Sequence, residues 1–243
     1  MADILRVEHL SKFYGKKHVV KDVSFTMSSG EVTGLLGPNG AGKTTSFYMI
    51  VGFIKANGGR ILINDEDITG LQMHQRSKLG LAYLPQEPSI FRKITVENNI
   101  KLVLETQNYL TAGEKKDKLE ELLENFGIAR VRKQYGYTLS GGERRRTEIA
   151  RALATSPKFL LLDEPFAGID PKAVYEIKQI VRHLASNGIG ILLTDHNVRD
   201  TLEITTTAHI ISSGEILVSG TRDEVLDNET AREIYFGRDF DNN

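Results

Sequence analysis

Three short strings in this 243-residue chain carry residue types suited to handling phosphate and activating water. The first is Gly37-Pro38-Asn39-Gly40-Ala41-Gly42-Lys43-Thr44-Thr45, a G-x-x-x-x-G-K-T pattern between the apolar run Val32 to Leu36 and the helix-like Thr45-Ser46-Phe47-Tyr48-Met49-Ile50. Strand, glycine-rich loop and helix in that order make a phosphate-binding loop. Glycines let backbone N–H groups turn onto phosphate oxygens, and the positive end of the helix adds field. Lys43 can reach the β- and γ-phosphates, and the Thr44 hydroxyl can ligate Mg²⁺. The second string, Ser140-Gly141-Gly142-Glu143, precedes a helical pattern running from Arg144 to Leu153. Unpaired N–H groups and the helix dipole make such an N-terminus another anion site, although alone the string is an ordinary N-cap. The third, Phe159-Leu160-Leu161-Leu162-Asp163-Glu164-Pro165, is an apolar strand ending in two carboxylates. Alternation along a strand sends neighbours to opposite sides, so one carboxylate would order Mg²⁺ through its water shell while the other faces an attacking water. Solvated turn residues are the plain alternative.

Beside a phosphate-binding loop, Leu139-Ser140-Gly141-Gly142-Glu143 resembles the signature of the ATP-binding cassette family. The resemblance spans nearly the whole chain, with the motifs in the family's order, and it implies ATP and Mg²⁺ as ligands. It implies Asp163 as the Mg²⁺-side residue and Glu164 as the base. Gln86, in Leu84-Pro85-Gln86-Glu87, matches the glutamine loop, whose amide touches Mg²⁺ or the attacking water. His196, in Thr194-Asp195-His196, matches the switch histidine that bonds a γ-phosphate oxygen. Ala167-Gly168-Ile169-Asp170 resembles the loop that crosses a dimer interface, with Asp170 as its polar member. Tyr14, in Ser11-Lys12-Phe13-Tyr14-Gly15, stands where the family stacks an aromatic on adenine; core or edge packing is the alternative for Phe13 and Tyr14. One implied nucleotide site therefore takes Tyr14, Gly37 through Thr45, and Gln86 from one chain. Ser140, Gly141, Gly142 and Glu143 come from a second copy in a head-to-tail homodimer.

The elements that must position these residues follow from periodicity. Continuous apolar runs at Phe159 to Leu162 and Ile189 to Thr194 have the length of central parallel strands covered on both faces. Shorter runs at Ile61 to Ile63 and Leu81 to Leu84 read as further strands, and helical patterns alternate with them, which predicts an α/β core. Val23, Phe25 and Met27 line one side of a strand ending at Ser28-Ser29-Gly30-Glu31, and Ser212-Ser213-Gly214-Glu215 repeats that tetrapeptide; both read as hairpin turns. Thr111-Ala112-Gly113-Glu114 is a capping box opening a charged helix that Gly127 closes, and Thr221-Arg222-Asp223-Glu224 is another. The expectation is a single domain over 1–243. Its RecA-like parallel-sheet core and antiparallel β subdomain take 1–92 and 156–243, with a helical subdomain inserted at 93–155. Arg144-Arg145-Arg146 reads as a charged helix face.

Composition limits the partners. Lys and Arg total 31 against 32 Asp and Glu, a formal net charge of −1, so no global field draws the chain to nucleic acid or anionic lipid. Without cysteine there are no disulfides or thiolate metal sites, which suits a reducing compartment. No secretory signal is legible at Met1 to Arg6, and no apolar run approaches the roughly 18 to 20 residues that span a bilayer. The expected place is cytoplasmic, held peripherally at the inner membrane by two separately encoded permease subunits, with Phe91 and Arg92 as docking residues. Packing of Phe91 between helical segment and core is the alternative. Soluble cassettes for DNA maintenance usually carry long coiled coils, and translation factors two cassettes; neither fits. Within the family, Pro88-Ser89-Ile90-Phe91-Arg92-Lys93, Thr194-Asp195-His196-Asn197-Val198-Arg199 and Tyr235-Phe236-Gly237-Arg238-Asp239-Phe240 resemble the branch that powers lipopolysaccharide export. Branched-chain amino-acid importer ATPases are the alternative, and Arg238 stands where that export branch implies an acidic residue.

Overall fold

The computed structural model describes residues 2–236. Five parallel strands form its centre: β3 (Val32–Leu36), β6 (Leu81–Leu84), β7 (Phe159–Asp163), β8 (Gly190–Thr194) and β9 (Thr207–Ser212). Their order is β9-β3-β8-β7-β6, and β3, β7 and β8 are buried along their whole length. Beyond β9 the sheet continues through β10 (Glu215–Gly220), β2 (Lys17–Ser28), β1 (Ile4–Tyr14), β4 (Gly58–Ile63) and the two-residue β5 (Glu66–Asp67). The pairings β1 with β2, β1 with β4, and β4 with β5 are antiparallel.

Helices follow the strands: α1 (Lys43–Val51), α2 (Met73–Lys78), α3 (Val96–Glu105), α4 (Ala112–Asn125), α5 (Gly141–Leu153), α6 (Pro171–Ser186), α7 (Val198–Ile204), α8 (Arg222–Asp227) and the single turn α9 (Glu229–Ala231). Between β6 and β7 the chain runs through α3, α4 and α5 before returning to the sheet. Thr111 and Glu114 cap α4 reciprocally, Gly127 in a left-handed conformation follows its end, and Thr221 and Glu224 cap α8. One apolar core lies between the sheet and α3 to α6; Phe47, Met49 and Ile50 of α1 anchor a second against the antiparallel strands.

Two turn expectations separate here. Ser212 to Glu215 is a hairpin, with Ser212 opposite Glu215. Ser28 to Glu31 is not: β2 pairs with β1, whereas the next strand, β3, pairs with β8 and β9. The same tetrapeptide serves both because a left-handed glycine only reverses or redirects the chain. The continuously buried β3 goes to the centre of the sheet, while β2, with its alternating pattern, keeps one face in water. The hairpin of the first segment instead turns at Gly15, where Tyr14 pairs with Lys17. Of the tail string, Gly237 to Phe240, including Arg238, lies outside the described residues.

Candidate functional site

Parallel strands bring their carboxyl ends to one edge, and the register sets what meets there. Leu84 pairs with Leu162, and Asp163 with Thr194. Residues just past β6, β7 and β8, namely Gln86, Glu164 and His196, therefore stand side by side, next to the loop that leaves β3. Gln86 Nε2 donates to Glu164 Oε2 at 2.5 Å, and His196 Nε2 lies 2.6 Å from Glu164 Oε1. Both carboxylate oxygens of Glu164 are thus engaged by residues 78 and 32 positions away in the chain, a number no local pattern contains.

The loop from Gly37 to Gly42 is fitted to its surroundings by glycine. A Cβ at Gly37 (φ 148°) would lie 2.0 Å from the Ile211 carbonyl oxygen, and Gly42 (φ 108°) starts α1 from a left-handed conformation. The first N–H groups of α1 have no partner within the helix and open on a cleft of about 280 Å³ lined by Asn39, Gly40, Lys43, Thr44, Thr45, Glu164 and His196. Lys43 is buried and donates from Nζ to the carbonyls of Gly37 at 2.5 Å and Pro38 at 2.9 Å. Burial pushes its ammonium below the usual lysine range, against the opposing pull of Glu164. Burial raises the carboxyls of Asp163 and Glu164 as well, the nearby His196 partly offsetting this for Glu164.

Asp163 is buried and accepts from the Tyr83 hydroxyl at 3.3 Å, while Glu164 is only partly buried. The pair does diverge, but not by strand alternation. β7 stops at Asp163, and Glu164 takes φ 45°, which swings its side chain out of the pleat; its N–H donates to Thr194 O at 2.8 Å. Tyr14 is 49 % exposed and Phe13 is likewise open, so neither is a core aromatic; Phe13 stacks on His18 at 3.8 Å. Ser140 caps α5, its Oγ accepting from Glu143 N and donating to Glu143 Oε2 at 2.8 Å. Asp170 caps α6 by accepting from Ala173 N at 3.0 Å. The α5 N-terminus is not among the residues that line the Lys43 cleft. Gly141 borders a separate cleft of about 250 Å³ shared with Gln86 and the 167–169 loop.

The arginine run is not a solvated face. Arg145 is 6 % exposed and donates to Pro85 O at 2.8 Å, and Arg146 pairs with Glu176 of α6. Glu148, 2 % exposed, accepts from Ser89 N at 2.6 Å and Ile90 N at 3.0 Å. Arg151 donates to Ser89 O at 2.9 Å and lies over the Phe91 ring. Phe91 itself is 53 % exposed, and Arg92 beside it is exposed. The spacing 145, 148, 151 puts all three side chains on one helix face, a signal present in the sequence but hidden by reading the arginines as a block. Asp195 and Tyr83 carry no local sequence signal, because their contacts run across strands.

The chain is similar to known proteins over nearly its whole length. A family profile described as ABC transporter matches residues 20–167. The lipopolysaccharide export system ATP-binding protein LptB of Haemophilus influenzae is 52 % identical over 98 % of this chain and 98 % of its own length. Its namesake in Escherichia coli K12 is 51 % identical over 97 % and 98 %. A crystal structure of an ATP-binding cassette of an ABC transporter in its ADP conformation superposes with a TM-score of 0.85 at 30 % identity, covering 97 % of this chain and 99 % of the other. With a phosphate-binding loop after β3 sharing a cleft with the carboxylate that follows β7, two strands across the sheet, and with relatives matching it from end to end, this chain belongs to the ABC transporter family as an ATP-binding subunit.

Proposed function

We propose that this chain is the ATP-hydrolysing motor of a lipopolysaccharide export system, working as a homodimer on separately encoded permease subunits at the inner face of the membrane. The transport reading rests on the named function of two relatives that match the chain over nearly their whole length. The hydrolytic reading rests on one observation: Glu164, its two oxygens held by Gln86 and His196, borders the same cleft as Lys43 and Thr44.

The roles follow from chemistry. Tyr14 is open to stack on the base, and the Gly37 to Thr45 loop offers N–H groups to the phosphates. Lys43 releases its two loop carbonyls to take phosphate oxygens instead. Glu164 accepts the proton of the attacking water, and His196 holds a γ-phosphate oxygen. No cluster of three His, Asp or Glu among the described residues could hold a metal unaided. Thr44, Gln86 and Asp163 are oxygen donors that fit Mg²⁺, a cation that keeps waters and phosphate oxygens in its shell. When bound it neutralises charge on the transferred phosphoryl group. Gly141 lines a different cleft from Lys43, and the string Ser140, Gly141, Gly142 and Glu143 serves the partner's nucleotide, with Asp170 at that junction. The 93–155 segment acts as the helical subdomain that carries this second half-site. No described helix is long and apolar enough to cross a membrane, and exposed Phe91 with Arg92 docks the chain on one that does.

Glu164→Gln tests the hydrolytic reading. ATP affinity should stay near the parent value while phosphate release falls at least about 100-fold; release near the parent rate would remove Glu164 from its role. Purification from the native host tests the transport reading, with two permeases and an envelope bridge expected and a periplasmic amino-acid receptor refuting it.

A further inference from the structure

The residue before His196 has no role in the mechanism above, yet its side chain is among the most buried carboxylates in the chain. Asp195 is 4 % exposed and follows the last residue of β8. Its Oδ1 accepts from Asn197 N at 2.8 Å, the local turn that an aspartate makes two residues on. That turn does not require the second contact: Oδ2 accepts from Phe166 N at 3.0 Å, 29 residues away in the loop after β7. The His196 N–H faces the same carboxylate. One residue earlier, the Thr194 carbonyl accepts from Glu164 N at 2.8 Å. Glu164 and Phe166, on either side of Pro165, are therefore pinned to Thr194 and Asp195. Between these pins Glu164 adopts a left-handed conformation unusual for a residue with a side chain, and its carboxylate meets the His196 ring at 2.6 Å.

We infer that Asp195 is a positioning residue for hydrolysis: its buried carboxylate clips the loop after β7 to the loop after β8 and thereby sets the contact between Glu164 and His196. The inference builds on the assignment of Glu164 as base. Burial raises the Asp195 carboxyl, and the N–H groups of Asn197 and Phe166 partly offset this.

Asp195→Asn preserves shape but leaves one acceptor oxygen, with an NH₂ group turned toward an N–H donor. The expected result is ATP affinity within about two-fold of the parent and kcat lower by about 10- to 100-fold, the scale of an ångström-level misplacement. In the Glu164→Gln background the same change should cost nothing further. The ring ¹⁵N signals of His196, one of six histidines, should move with Asp195→Asn as they do with Glu164→Gln. A folded Asp195→Asn with parental kcat and parental His196 signals overturns the inference, as does an additive loss in the Glu164→Gln background. Asp195→Ser, which keeps one short hydroxyl acceptor, is the second variant; failure of both to fold would make Asp195 a stability residue and also overturn it. If Glu164→Gln alone hydrolyses normally, the base assignment fails, and the clip is then judged on the His196 signals.

Discussion

At Glu164 burial and charge pull in opposite directions. Burial raises the carboxyl, the neighbouring His196 lowers it, and the balance is upward. The base role proposed for Glu164 requires it to be ionised, and on that reading kcat should fall on the acid side at a pH above the ordinary glutamate range, which steady-state rates from about pH 5 to 9 would locate. The stability sign is the reverse. A carboxyl raised in the folded state favours folding below its unfolded value, and that contribution is lost as pH rises through the folded value. Asp163 and Asp195 are raised by burial too. The cleft is therefore least stable where it must be charged to work, and Glu164→Gln should melt no earlier than the parent near pH 8.

Between elements, the decisive connection is α5 to the segment after β6. Arg145, Glu148 and Arg151 hold backbone groups of Pro85, Ser89 and Ile90, so the stretch on both sides of Gln86 is fastened to the helix that Ser140 caps. Arg145 and Glu148 are 3.4 Å apart and both buried. Removing one partner of such a pair leaves the other charged and unpaired; Glu148→Ala should cost about 3 to 5 kcal/mol, read by denaturant unfolding. The Ser89 and Ile90 amides should also exchange hydrogen faster. A loss below about 1 kcal/mol would mean that the segment is held elsewhere.

For the whole molecule, Lys43 and Gly141 line different clefts, and the proposed site therefore draws on two copies of the chain. Ser140→Arg should leave ATP binding at the chain's own loop intact while abolishing the ATP-trapped dimer of the Glu164→Gln background, measured by size; survival of the dimer would refute the shared site. Phe91 is exposed, and its proposed docking role can be tested by assembly. Phe91→Ala should leave melting and intrinsic hydrolysis nearly unchanged and prevent co-assembly with the permeases; an early-melting variant would return Phe91 to packing.

The sequence by itself determined the fold class and which residue types stand at the ends of its strands. Gly37 to Thr45, the apolar run into Asp163 and Glu164, and the run into Thr194 each combine a local pattern with a chemically distinct end, and local patterns are legible without partners. The capping boxes at Thr111 and Thr221 were legible for the same reason. Tertiary structure alone decided what depends on pairing. Ser28 to Glu31 and Ser212 to Glu215 share four residues, but only one is a hairpin, because burial of β3 on both faces draws it away from β2. Arg145 looks like a surface charge until the Pro85 carbonyl covers it. Asp195 looks like a spacer before His196 until the Phe166 amide reaches it across adjacent strands, since a hydrogen bond between loops 29 residues apart has no periodicity to announce it.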